Sequence, residues 1–208
     1  MRLMIAIPAF DHMQTAFVAC LLKLINKLHA DGVDFQVEIK AGTLVHTARD
    51  ALAGKAMQDG FTHVLWLDSD MIFEPELVED LTFSGQSFVT GICHSRRPPY
   101  STCVFTDIQN DIKRWEGPYP TDTFKIAGCG MACVLMETQI LTDVFNSYLT
   151  CFTPMRNYGE DLAFCLRAAG LGYKIYAEPS VRVGHIGQTI IYPEDHEKYL
   201  KELENGNQ

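Results

Sequence analysis

The sequence predicts an α/β domain, a mostly parallel sheet flanked by helices, and two observations lead there. Two short apolar runs, Leu3-Met4-Ile5-Ala6-Ile7 and Val64-Leu65-Trp66-Leu67, and the strand-like Phe35-Gln36-Val37-Glu38-Ile39 alternate with stretches whose apolar residues recur at helical spacing. Such runs bounded by turn residues are strands, and their alternation with helices makes a parallel sheet with right-handed crossovers. The run from Val64 to Leu67 ends on Asp68-Ser69-Asp70, and open α/β sheets bind their ligands at the carboxyl ends of their strands.

Leu3 to Ile7 is apolar throughout, as a strand covered on both faces must be, and Pro8-Ala9-Phe10 ends it. Asp11 stands where an N-cap belongs, with Gln14 placed to close a capping box. Val18, Leu21, Leu22, Ile25 and Leu28 then carry a helix to Ala30, stopped by Gly32. After the second strand, Thr47 is placed to cap a helix through Ala48, Ala51, Leu52, Ala56 and Met57, closed by Gly60. Arg49 lies in its first turn, where a cation opposes the helix dipole. It is either an ordinary surface arginine or there to meet a phosphate or carboxylate.

The third strand is the Asp68 segment. Pro75 fits the first position of a short helix carrying Leu77, Val78 and Leu81, and Ser87 to Ile92 is the next strand. His94-Ser95-Arg96-Arg97-Pro98-Pro99-Tyr100 cannot be regular structure. It has the charge, aromatic and proline of a binding loop, although an exposed basic turn has the same composition. Trp115 to Thr123 reads as a second loop. Gly128-Cys129-Gly130 leads into an apolar strand from Met131 to Met136; it is too short for a dinucleotide fingerprint and lets backbone approach a ligand. Gly159-Glu160-Asp161-Leu162 opens a helix that Gly170 ends, its two acids in the turn where the dipole favours anions. Tyr173 to Tyr176 and Val181 to Val183 are strands, the latter leading into Gly184-His185-Ile186-Gly187. Glu194 to Glu204 is a charged helix.

With 208 residues and 47% apolar content the chain is one globular domain. Its net charge of −9 argues against nucleic-acid binding, which needs a basic face. Seven cysteines show no C-x-x-C pair, and Cys129 and Cys133 read as buried inert thiols, a pattern that suits a reducing cytoplasm. No stretch is long enough to span a membrane, and Leu3 to Ile7 is too short for a signal core.

In an extended segment alternate residues point the same way, so Asp68 and Asp70 can face one spot. Two anions that close repel unless a cation intervenes. A hard divalent ion, Mg²⁺ or Mn²⁺, answers that need, and such ions arrive with substrate phosphates. The competing reading is a solvated turn or helix cap. His185, between two glycines at a strand end, can coordinate a metal through a neutral ring nitrogen.

The strand ending Leu67-Asp68-Ser69-Asp70, the Gly159-Glu160-Asp161-Leu162 helix start and the Gly184-His185 pair together resemble the GT-A glycosyltransferases, most closely the family-2-like enzymes. The resemblance runs over nearly the whole chain, from the first strand to His185. It implies the GT-A fold in one catalytic domain, 1–208. Residues 1–95 would be the nucleotide-binding half, 96–190 the acceptor and metal-closing half, and 191–208 the C-terminal helix and tail. It implies a hexosyltransferase-type enzyme that moves a sugar from a UDP- or GDP-sugar with Mn²⁺ or Mg²⁺. Asp70 would be a direct metal ligand, Asp68 would face the ribose and metal, and His185 would be a further ligand. Pro8, Ala9 and Phe10 would border the nucleotide base, with Arg49 and Ser69 also on the donor side. Asp161 would be the base at the acceptor hydroxyl in an inverting enzyme, supported by Glu160. Metal binding is expected to fall below about pH 6 as the His185 imidazole takes up a proton.

One departure concerns the base: where many members carry acids after the second strand, this chain has Lys40-Ala41-Gly42. The chain stops soon after His185 and reads as a minimal catalytic unit. Its acceptor, carbohydrate, lipid or protein, is undefined, and self-association is left open. Two alternatives stand beside this reading. A nucleotidyltransferase of related architecture would show a Gly-rich basic loop near the first strand, which Pro8 to Met13 does not offer. A non-catalytic nucleotide-sugar binder would keep the fold without turnover.

Overall fold

The computed structural model describes residues 1–187 and 190–206. The chain begins β1 (Arg2–Pro8), α1 (Thr15–Ala30), β2 (Asp34–Lys40), α2 (Val45–Gln58) and β3 (His63–Leu67). It continues through β4 (Met71–Ile72), α3 (Leu77–Phe83), β5 (Phe88–Ile92), β6 (Val104–Asp107), β7 (Lys113–Arg114), β8 (Phe124–Ile126) and β9 (Gly128–Cys129). Then come β10 (Cys133–Glu137), α4 (Thr138–Tyr148), α5 (Glu160–Gly170), β11 (Ile175–Arg182), β12 (Gly184–Ile186), β13 (Ile190–Ile191) and α6 (Pro193–Gly206). Among the described residues no helix is long and apolar enough to cross a membrane.

The main sheet has seven strands in the order β2-β1-β3-β10-β5-β11-β8. β1, β2 and β3 run parallel, as do β5 and β11, while β10 is antiparallel to β3 and β5, and β8 to β11. The sheet is therefore mixed but mostly parallel. Alternate residues feed two cores. Met4, Ala6, Val64 and Trp66 face α2, α4 and α5, whereas Leu3, Ile5, Ile7, Leu65 and Leu67 face α1 and α3. Both faces being covered explains why these runs are apolar without alternation. Each buried Val, Leu, Ile or Met among them contributes roughly 1.5–3 kcal/mol by leaving water. Two three-stranded sheets, β13-β12-β4 and β7-β6-β9, sit at the margins. Pairing of β12 with β4 sets His185 opposite Met71, one residue beyond Asp70.

Several boundaries differ from expectation. α1 starts at Thr15 after Gln14, with no capping box. The box would use the Gln14 N–H, but that group donates to Ser69 O at 3.1 Å, tying the helix entry to the Asp68–Asp70 turn. α2 starts at Val45 after Leu44, so Thr47 lies inside it rather than capping it. Pro75 precedes α3 instead of opening it, because Leu77 N first closes a turn onto Glu74 O. The Met131–Met136 strand begins only at Cys133, and Gly128–Cys129 pairs separately with β6. The two segments expected at 173–176 and 181–183 each overlap one strand, β11, whose register against β5 shifts between Glu178 and Arg182. Pro179 lies inside that shift, where a residue without N–H is tolerated.

Candidate active site

The Asp68–Asp70 segment is a turn, not an extension of β3: Met71 N donates to Asp68 O at 3.3 Å. The two carboxylates, which line one cavity, are engaged by different partners. Asp68 Oδ1 accepts Arg49 Nη2 at 2.7 Å, while Asp70 Oδ2 accepts Arg96 Nη1 at 2.6 Å and lies 3.3 Å from His185 Nε2.

His185 is held beside Asp70 by backbone. Ile186 N donates to Asp70 O at 2.8 Å within the β12–β4 margin. His185 Nδ1 lies 2.9 Å from His94 O, and a carbonyl can only accept, so Nδ1 carries the hydrogen and Nε2 is the nitrogen facing Asp70. Burial lowers the His185 pKa, but the hydrogen bond and charge of Asp70 outweigh it, aided by the His94 carbonyl, and the net shift is upward from 6.5. For Asp70 burial acts upward and is overcome by His185 and then Arg96, leaving it below its ordinary 3.8.

The residues fit a hard divalent ion. Among the described residues no three His, Cys, Asp or Glu converge on one point. Mg²⁺-like ions, however, take only one or two protein carboxylates and fill their shells with water and substrate phosphate. Two ligands at adjacent corners of such a shell stand about 3 Å apart, close to the 3.3 Å between Asp70 Oδ2 and His185 Nε2. A metal-binding imidazole also donates its other N–H to a carbonyl or carboxylate, as Nδ1 does here.

Arg49 is 3% exposed and bridges Asp68 to Glu160, the first residue of α5. It is thus not a surface arginine but the cation that two carboxylates close upon. Burial acts to lower its pKa; Asp68, Glu160 and Asp161 more than reverse this, so it stays charged. Removing one member of a buried ion network leaves charge uncompensated, typically about 3–5 kcal/mol. Arg49→Met is therefore expected to lower the melting temperature by roughly 6–20 °C, read by thermal denaturation. A shift under about 2 °C would mean the bridge contributes little.

Glu160 faces Arg49, whereas Asp161 Oδ1 accepts the Leu162 N–H at 2.7 Å. The Asp161 pKa is raised from 3.8, first by burial and then by the charges of Glu160 and Asp68. Dipole stabilisation of its anion, the expectation from helix position alone, is outweighed. Gly130 opens onto this carboxylate: a Cβ there would sit 3.8 Å from Asp161 Oδ2. Gly128 instead accommodates packing, since its Cβ would meet Ile108 at 3.0 Å.

Pro8, Ala9, Phe10, Asp68, Ser69 and Asp70 line one cavity of about 300 Å³, completed by Thr43, Val45 and Arg96. Its floor is tied by backbone, Ala9 N to Lys40 O at 2.9 Å and Gly42 N to Phe10 O at 2.7 Å. Phe10 is 72% exposed. Six predicted residues thus share this cavity, Arg49 links it to Glu160, and His185 closes on it through Asp70. Arg96, His94, Thr43 and Val45 were not singled out by the sequence, except that Arg96 and His94 belong to the loop flagged for its charge.

No family model matches this sequence, and no curated protein does. Solved structures do. A197 from STIV superimposes with a TM-score of 0.63 at 18% identity, over 94% of this chain and 92% of that one. GalNAc-T7 with UDP, GalNAc and Mn²⁺ gives 0.56 at 11% identity, covering 89% of this chain and 44% of that chain. A Bacillus anthracis protein assigned as a glucose-1-phosphate thymidylyltransferase, in complex with a sucrose, gives 0.47 at 10% identity, over 87% of this chain and 89% of that one. At these identities the likeness is one of fold: the chain has a GT-A-like fold, and family 2 is not distinguished within it.

Proposed function

We propose that this chain is a metal-dependent glycosyltransferase that moves a sugar from a nucleoside diphosphate donor to an acceptor hydroxyl. The reading is carried by Asp70 Oδ2 standing 3.3 Å from His185 Nε2 at the rim of the cavity that Pro8 and Phe10 also line. Asp70 and His185 would hold Mn²⁺ or Mg²⁺, which when bound neutralises charge developing on a departing diphosphate. Asp68 offers its second oxygen to the ribose or to water, its first being held by Arg49. Phe10 presents an exposed ring for a base to stack on.

Asp161 takes the acceptor proton. Its raised pKa makes it a stronger base than a solvated aspartate, and Glu160, engaged by Arg49, does not compete for that role. The seven free thiols fit a cytoplasmic enzyme. Incubating the protein with UDP- and GDP-sugars, with and without Mn²⁺, tests the proposal. Release of nucleoside diphosphate only with metal is expected; no binding and no release from any donor would overturn it. Binding without turnover against all acceptors would make the chain a non-catalytic binder.

His185→Ala is expected to weaken Mn²⁺ affinity by roughly 10–100-fold. A protonated imidazole has no lone pair to coordinate, so affinity falls as pH falls. Because the His185 pKa is raised above 6.5, that fall begins at higher pH than the pH 6 expected for an unperturbed histidine. Mn²⁺ titrations at several pH values read both effects; an affinity that neither pH nor the substitution changes would leave His185 a structural residue.

A further inference from the structure

Arg96 holds the oxygen of Asp70 that faces His185. Its Nη1 donates to Asp70 Oδ2 at 2.6 Å, the same oxygen that stands 3.3 Å from His185 Nε2. The two arginines of the site are held differently. Arg49 is 3% exposed and closed between two acids, whereas the Arg96 side chain is 49% exposed and pairs with one. Arg49 cannot leave without stranding buried charge, while Arg96 can turn into water.

Arg96 also stands between two cavities. It lines the donor cavity beside Asp70, and a neighbouring one of about 710 Å³ that it shares with Arg97, Tyr100 and Gln14. Among the described residues Arg97 has no acidic partner within ion-pair distance, so this second cavity is cationic. The backbone under both arginines is braced. Ser95 N donates to Ser101 O at 2.9 Å, His196 Nδ1 donates to Pro99 O at 2.6 Å, and the Tyr100 ring meets Tyr199 edge-on at 5.7 Å. Movement of Arg96 therefore needs only its side chain.

We infer that Arg96 is an internal stand-in for the metal in the free protein and a diphosphate ligand in the loaded one. This rests on the metal-dependent donor reading above. A guanidinium and a divalent ion drawn to the same carboxylate oxygen repel each other, so the guanidinium gives up Asp70 when an ion binds. Phosphate oxygens arriving with the ion offer the planar fork a bidentate partner. Until then Arg96 keeps Asp70 paired and opposes binding of metal alone. Metal and nucleotide are therefore coupled: each binds better when the other has engaged its half of the site.

Arg96→Gln separates the two roles because they carry opposite signs. Calorimetry with MnCl₂ alone should give an affinity roughly 5-fold or more above wild type, and UDP or GDP at saturating Mn²⁺ should bind roughly 5-fold or more weakly, the lower end of ordinary coupling between sites. Arg97→Gln should leave the affinity for MnCl₂ alone unchanged. If Arg96→Gln moves both affinities the same way, or neither, the inference is overturned while the donor reading stands. If wild-type protein binds neither UDP nor GDP with Mn²⁺, the donor reading has failed and this inference with it, and that outcome is seen before any variant is made.

Discussion

Asp70→Ala is expected to abolish the Mn²⁺-dependent part of nucleoside diphosphate binding, a loss larger than the roughly 10–100-fold that follows removal of a partner outside the ligand shell. His185 Nε2 and Arg96 Nη1 both point at one oxygen of this carboxylate. Without it the site keeps a lone imidazole, which does not hold a hard cation. Asp68→Ala should be milder toward metal, since that carboxylate is turned to Arg49. Its effect belongs with stability, because Arg49 would keep only Glu160 as an ion-pair partner. Calorimetry with Mn²⁺ and UDP distinguishes the two. Equal Mn²⁺-dependent affinity in wild type and Asp70→Ala would place the metal elsewhere.

The second large effect lies in turnover rather than binding. Asp161→Asn should leave donor affinity near wild type and reduce transfer by roughly 10²–10⁴, the usual worth of a general base. Asparagine has the same shape, and its carbonyl can accept the Leu162 N–H that Asp161 Oδ1 accepts at 2.7 Å, so the start of α5 is preserved. Glu160→Gln should behave differently, lowering thermal stability through the loss of charge opposite Arg49. Donor turnover and melting temperature measured on both variants read the division of labour. Unchanged turnover in both would reduce the pair to a helix cap.

β1 and β3 were legible because they are buried on two sides and apolar throughout, the half-exposed edge strand β2 by the alternation of Phe35, Val37 and Ile39, and α1 by the spacing of Val18, Leu21, Ile25 and Leu28. The later elements were less so. β6, β7 and β8 are two to four residues long and carry lysine, arginine or aspartate, too little for a period to emerge. α4 went unseen because no capping residue type marks its start, Glu137 standing at the N-cap and Thr138 N being tied to Thr62 O, a contact across the sheet.

The site divides along the same line. Asp68, Asp70, Glu160, Asp161 and His185 stand in short motifs at element ends, where local sequence marks them. Their pairing is tertiary. Arg49 reaches Glu160 across 111 positions and Arg96 reaches Asp70 across 26, separations at which no periodicity operates. The turn that hands Asp68 and Asp70 to different partners was likewise hidden, because it begins only where β3 stops at Leu67.

UDP and GDP are titrated into wild-type protein, once with MnCl₂ and once with EDTA. One nucleoside diphosphate is expected to bind with Mn²⁺ and its binding to collapse in EDTA, because Asp70 and His185 reach the phosphates only through the ion. Binding equally strong in EDTA, or absent for both nucleotides with Mn²⁺, would contradict metal-mediated donor binding at this site.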